Sequence, residues 1–199
     1  MKTIAELFWE ARKRNTKLTQ FERYEAAGSP ESIKRFIAIG GGPKMGVTME
    51  EYARFQFPRL KKRLPGKDQT GYDHVFRVGE ESATLYCIEQ KSSGHWGQDD
   101  FKWQHVEEKH NWHFLLLCGI GYTDVRFWMM NRATFSELIA EGKITNQGNK
   151  QGDSTEGRWF YYSEVKDSLV EVATDADIET FVLIHATQPK DMHIKNPGK

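Results

Sequence analysis

The sequence predicts an α/β protein of the α+β kind, a mixed central β-sheet flanked by helices. Three observations predict it. Residues 112–120 (WHFLLLCGI) are apolar almost without a break, the mark of a central strand covered on both faces. Strand-length runs recur around it, two within 71–93 and one at 125–130 (VRFWMM). Helical spacing precedes and follows them, so helices must cover the sheet. With 199 residues the chain suits one domain, and 38% apolar residues, 13% of all residues being aromatic, suffice for its core.

Taken in order, residues 3–14 place Ile4, Leu7, Phe8 and Ala11 on one helical face, with Thr3 and Glu6 spaced as a capping box. A second helix is expected over 29–39, with Pro30 in its first turn. The glycine run at 40–46 (GGGPKMG) reads as a helix terminator and flexible connector. A phosphate loop would need a closing Gly-Lys-Ser/Thr and a preceding strand, and has neither. A third helix is expected over 48–60, Thr48 and Glu51 again having capping-box spacing. Residues 1–47 thus form a helical arm and 48–199 the core, together one compact body.

Residues 59–67 carry Arg59, Lys61, Lys62, Arg63 and Lys67. They fit either a solvated helix end or a clamp on a phosphate backbone. The hairpin at 71–93 turns near 79–82 and ends in Glu89-Gln90-Lys91. Residues two apart on a strand share a face, so Glu89 and Lys91 project together and Gln90 points away. A polar loop over 92–98 exposes Trp96. A helix over about 99–109, capped by Asp99 or Asp100, carries Gln104. After the strands at 112–120 and 125–130 come a short helix at 133–141 and a polar, glycine-rich loop at 144–157. Strands at 158–162 and 169–172, expected to pair antiparallel, and a helix at 175–186 complete the core. The tail from 188 is expected to be loose.

Other chemistries find no support in the residues. No Gly-x-Ser-x-Gly elbow marks a serine hydrolase, and His110 and His113 lack a second cluster at metal-ligand spacing. Cys87 and Cys118 lie in apolar runs without Cys-x-x-Cys spacing, so they read as buried thiols of a reducing compartment, the cytoplasm. No apolar run is long enough to span a membrane. The formal charge is zero, but residues 1–70 hold 15 Lys/Arg against 8 Asp/Glu, and residues 71–199 hold 13 against 20. A basic lobe beside an acidic one suits a polyanion surface next to a cation site.

What remains is Asp73 followed, across the hairpin, by Glu89-Gln90-Lys91. Two carboxylates and an amine converging at a strand end suit a hard divalent cation and an activated water. Over residues 48–130 the order of elements resembles the PD-(D/E)XK nuclease superfamily, which includes type II restriction endonucleases and Holliday-junction resolvases. The matching features are an acidic helix, Gly-Tyr-Asp, Ile-Glu-Gln-Lys-Ser-Ser, a helix with Gln104 and an apolar strand. Tyr72 stands where the family name has proline. The resemblance implies a restriction-endonuclease-like core in which Asp73 and Glu89 bind Mg²⁺, or Mn²⁺ in its place, with the backbone carbonyl of Gln90. It implies that Lys91 orients or deprotonates the attacking water and stabilises charge on the phosphate. Glu50 or Glu51 would serve a second metal or its water, and Ser92, Ser93 and Gln104 would contact phosphate. The implied protein is a Mg²⁺-dependent endodeoxyribonuclease, foremost a homodimeric type II restriction enzyme acting on DNA. A structure-selective resolvase, a nicking subunit of a heterodimeric enzyme and a DNA-binding module with an unused core are the alternatives.

Overall fold

The computed structural model describes residues 3, 4, 6, 19–39, 42–66, 71–79, 84–96, 100–146 and 157–186. In these residues six helices and nine strands build a mixed, mostly antiparallel sheet with helical cover. The helices are α1 (Gln20–Ala26), α2 (Glu31–Ala38), α3 (Gly42–Gln56), α4 (Arg132–Ala140), α5 (Tyr162–Val165) and α6 (Asp175–His185). The strands are β1 (Lys61–Lys62), β2 (His74–Val78), β3 (Thr84–Trp96), β4 (Asp100–Val106), β5 (Phe114–Ile120), β6 (Val125–Asn131), β7 (Thr145–Asn146), β8 (Arg158–Tyr161) and β9 (Val170–Val172).

The fully buried β5 lies at the centre, as its apolarity demands, parallel to β3 and antiparallel to β6. Its alternate side chains feed two cores. Leu116, Cys118 and Ile120 face the helices, where Ile33 and Ile37 of α2, Met49 and Ala53 of α3, and Ile178, Phe181 and Val182 of α6 are buried at helical spacing. Leu115 and Leu117 face the opposite core, built from Phe101 and Trp103 of β4, Phe160 of β8, and Phe135 and Leu138 of α4. One side of the central sheet is thus covered by helices and the other by a small antiparallel layer of β4, β8 and β7 together with α4.

Several expectations are corrected. Residues 100–106 form a strand rather than a helix. Its register against β8 shifts between Trp103 and Val106, and His105 has φ 58°. This is a β-bulge, which inserts an extra residue and brings Trp103 and Val106, three apart as on a helix face, onto the buried side together. The expected loop over 92–98 is strand as far as Trp96. From Gly42 onward the glycine run is helix rather than connector, Gly42 to Gly46 opening α3 with Pro43 at a first-turn position that needs no N–H donor. Thr48 lies inside that helix, its hydroxyl donating to the Lys44 carbonyl. The strands at 158–161 and 170–172 do not pair with each other; β8 joins β4 and β7, and β9 joins β6.

The hairpin of β2 and β3, the strands β5 and β6, and helices α2, α4 and α6 lie close to their expected bounds. Helix α1, capped reciprocally by Thr19 and Glu22, has no counterpart among the expected elements. Thr3 and Glu6 exchange the expected capping bonds. The rest of that first helix, the hairpin turn, most of the 144–157 loop, Lys67 and the tail from 188 lie outside the described residues. Among the described residues no helix is long and apolar enough to cross a membrane.

Candidate active site

β3 has three partners along its length. Residues 84–88 pair with β2, residues 88–94 with β5, and His95 and Trp96 with β4. Because β2 begins opposite Ile88, the β3 edge beyond it is left open. A cleft of about 580 Å³ lies along that edge, between α3 on one side and β4 on the other. Glu50, Asp73, Gln90, Lys91, Ser92, Ser93 and Gln104 all line it.

Asp73 sits just before β2. Its amide donates to the Ile88 carbonyl at 3.0 Å, and its carboxylate Oδ2 accepts from the Gln90 amide at 2.8 Å. In a strand the N–H and C=O of one residue lie on the same edge, so the Gln90 carbonyl also faces the Asp73 side. On the neighbouring positions Lys91 Nζ meets Glu89 Oε1 at 2.5 Å, the shared face that period-two alternation predicts. Glu89 is buried, while Lys91 keeps contact with the cleft.

Burial and the negative charge of Glu89 hold the Asp73 carboxyl above its usual range. Glu50, half-buried on α3, is pushed up to about 7 by burial and then by Asp73; Glu89 acts in the same sense and Arg54 against it. Glu50 and Asp73 therefore repel each other across the cleft, with the buried Glu89 behind it adding to the repulsion. A hard cation would relieve that repulsion, and Mg²⁺ is commonly held by one or two carboxylates with water completing its shell. Among the described residues no group of three or more His, Cys, Asp or Glu is drawn together as a ready-made metal cage. The donor set that fits is Asp73, Glu89 and the Gln90 carbonyl, with Glu50 facing them.

Because Glu50 must be ionised to assist a cation, Mg²⁺ binding should release a proton near neutrality and strengthen as pH rises. Calorimetry is expected to show Mg²⁺ binding about tenfold weaker near pH 6 than near pH 8. Most of that difference should vanish in Glu50→Gln.

The other expected site residues divide sharply. Glu51 points away from the cleft into an ion pair with Arg54 at 3.0 Å. Arg54 in turn reaches His74 Nδ1 at 3.1 Å, and His74 Nε2 reaches the Gln90 side chain at 2.8 Å. His74 is fully buried and burial pushes it down to about 4, so it stays neutral while bracing β3 against α3. Nothing in the spacing of His74 announces this role; only its register opposite Ile88 reveals it. Ser92 accepts from the Gln90 side chain at 3.2 Å, and the Ser93 hydroxyl accepts from the Lys102 amide at 3.0 Å, tying β3 to β4. Gln104 reaches the cleft from the β4 bulge, not from a helix.

Of the basic segment, Lys61 Nζ donates to the Pro58 carbonyl, and Lys62 is exposed on β1. The Arg63 amide donates to the Asp73 carbonyl at 3.0 Å, and its charge is felt at Glu50. Arg59 is committed elsewhere, making a two-pronged ion pair with Glu179 at 2.7 and 2.8 Å. Arg59→Ala is accordingly expected to lower the melting temperature slightly, as a thermal unfolding scan would show. If the cleft takes a DNA backbone, Arg63→Ala should weaken that binding and flatten its salt slope, as filter binding across a salt series would show.

Comparison with protein-family models, with curated proteins and with solved structures returns no match to this chain.

Proposed function

We propose that the chain is a Mg²⁺-dependent endodeoxyribonuclease of the restriction-endonuclease type. The observation that carries the proposal is the Asp73 carboxylate fixed on the Gln90 amide beside the Glu89–Lys91 pair, at an open strand edge that lines a cleft. Asp73, Glu89 and the Gln90 carbonyl would hold Mg²⁺, for which Mn²⁺ would substitute. When bound, the ion supplies the Lewis acidity that offsets charge building on the phosphate.

The remaining chemistry belongs to the side chains. Lys91, released from Glu89, keeps a positive charge beside the reacting phosphate and orients the attacking water. Glu50, with its proton poised near neutrality, exchanges protons with that water. The Ser92 hydroxyl and the Gln104 amide offer hydrogen bonds to phosphate oxygens, and Lys61, Lys62 and Arg63 attract the backbone. One cleft cuts one strand, so two copies related by a two-fold axis would cut both. The buried free thiols Cys87 and Cys118 suit the cytoplasm as the place of action.

The test is incubation with supercoiled plasmid DNA, with Mg²⁺ or with EDTA. Discrete Mg²⁺-dependent fragments support a restriction enzyme. Nicks alone point to a subunit that cuts one strand, and cleavage confined to branched DNA to a resolvase. An intact fold that binds DNA and cleaves none of these substrates overturns the proposal.

A further inference from the structure

The cleft continues past its carboxylates onto a surface the hydrolytic chemistry does not use. On the outer face of β4 and β8, Lys102 stands across from Tyr161 in the strand register. Its ammonium lies 4.3 Å from the ring centroid of Trp159, 5.6 Å from that of Trp96 and 5.7 Å from that of Tyr161. Trp159 and Tyr161 meet edge to face, with centroids 5.4 Å apart. Trp96 belongs to β3 and the other two rings to β8, so distant parts of the chain converge on one lysine. Trp96 and Lys102 both line the cleft, and Trp96 is 49% exposed.

An indole left half in solvent beside a cation held by aromatic rings is poorly explained by packing, since the cores lie on the inner faces of these strands. It does suit a nucleotide, whose base offers a π-face and whose phosphate offers a negative charge. In a duplex the bases stack on one another and are closed to a protein ring, and backbone contacts need only cations. An exposed ring therefore selects a base that is unpaired.

We propose that Trp96 and Lys102 form a subsite for an unpaired nucleotide at the mouth of the cleft, the base stacking on Trp96 and the adjoining phosphate meeting Lys102. The inference rests on the nuclease reading only for its direction, that the strand leads on toward Asp73 and Lys91. It adds to that reading one feature of the bound DNA, a base next to the scissile bond that leaves the stack to meet Trp96.

Binding separates this inference from catalysis. In EDTA, where no cleavage takes place, fluorescence anisotropy is measured with a labelled single-stranded oligodeoxythymidylate and with a labelled blunt duplex. Wild-type protein should bind the single strand with quenching of tryptophan emission. Trp96→Ala should lose about tenfold in single-strand affinity and less than about twofold for duplex, while Trp96→Phe keeps most of it. Lys102→Ala should weaken the single strand and lower its salt slope. Circular dichroism checks that each variant is folded. Equal loss for both DNAs in Trp96→Ala, binding of duplex alone, or no effect of either substitution overturns the subsite. None of those results touches the plasmid test, and a failure to cleave plasmid leaves the binding comparison standing.

Discussion

Asp73→Asn is expected to reduce Mg²⁺-dependent cleavage by about a thousandfold while leaving the fold and DNA binding intact. Asparagine has the same shape, and its side-chain oxygen can still accept from the Gln90 amide, so the strand geometry survives. What disappears is one negative charge at the place where the proposed cation would sit. The repulsion that raises Glu50 should also ease, because Asp73 is the largest charge acting on it. Calorimetry should therefore show weaker Mg²⁺ binding with a pH dependence shifted to lower pH. Lys91→Ala should match the loss of cleavage without weakening Mg²⁺ binding, because it leaves the carboxylates in place. Supercoiled plasmid assays beside Mg²⁺ titrations distinguish the two outcomes, and a Lys91→Ala protein that cleaves normally would remove Lys91 from the mechanism.

The second large effect is expected in the core. Trp103→Ala should destabilise the protein by about 4 kcal/mol, read from the midpoint of urea unfolding. Trp103 is fully buried between the β4–β8 layer and the central sheet, and its indole N–H donates to the Cys118 carbonyl at 3.0 Å. Its ring packs near those of Trp128 and Phe160, with centroids 5.9 and 5.7 Å away. Truncation would leave a cavity under the strand that carries Lys102 and Gln104. Trp103→Phe fills most of that space and should cost less than half as much, the remainder reflecting the lost hydrogen bond and volume. A small effect of Trp103→Ala would mean that the small sheet adds little to the stability of the whole.

The central sheet is legible in the sequence because its signals are strong and local. The unbroken apolarity of 112–120 marks β5, and period-two alternation puts Glu89 and Lys91 on one side of β3. Asp73 is legible as a candidate from its place one strand before Glu89-Gln90-Lys91, whereas Glu50 is legible only as one of two alternatives with Glu51, and the Gln104 helix in the expected order of elements is a strand. What the sequence hides, it hides for identifiable reasons. A bulge at Gln104 and His105 replaces one step of two by a step of three, from Trp103 to Val106, so that end of β4 reads as helical. The polar residues after Lys91 read as a loop because they line a cleft while remaining in a strand. Glycines at 42 and 46 suggest a break, although α3 runs through them under the pull of its contacts with the sheet. Glu51 and Arg59 are plausible ligands by charge alone, and only their ion pairs show them otherwise engaged. His74 escapes notice because a buried histidine that braces two elements has no sequence signature.

The inequality between β2 and β3 sets a ruler along the cleft. The five residues of β2 cover only the first part of the thirteen in β3, leaving the edge from Glu89 to Gly94 with a partner on one side only. At a rise of about 3.3 Å per residue this edge is roughly 20 Å long. A strand of duplex DNA, advancing about 3.4 Å per nucleotide, would occupy it with on the order of six nucleotides. If DNA lies along this edge as proposed, the shortest oligonucleotide that binds fully should be set by where one short strand stops, and lengthening β2 should shorten the footprint from the Asp73 end.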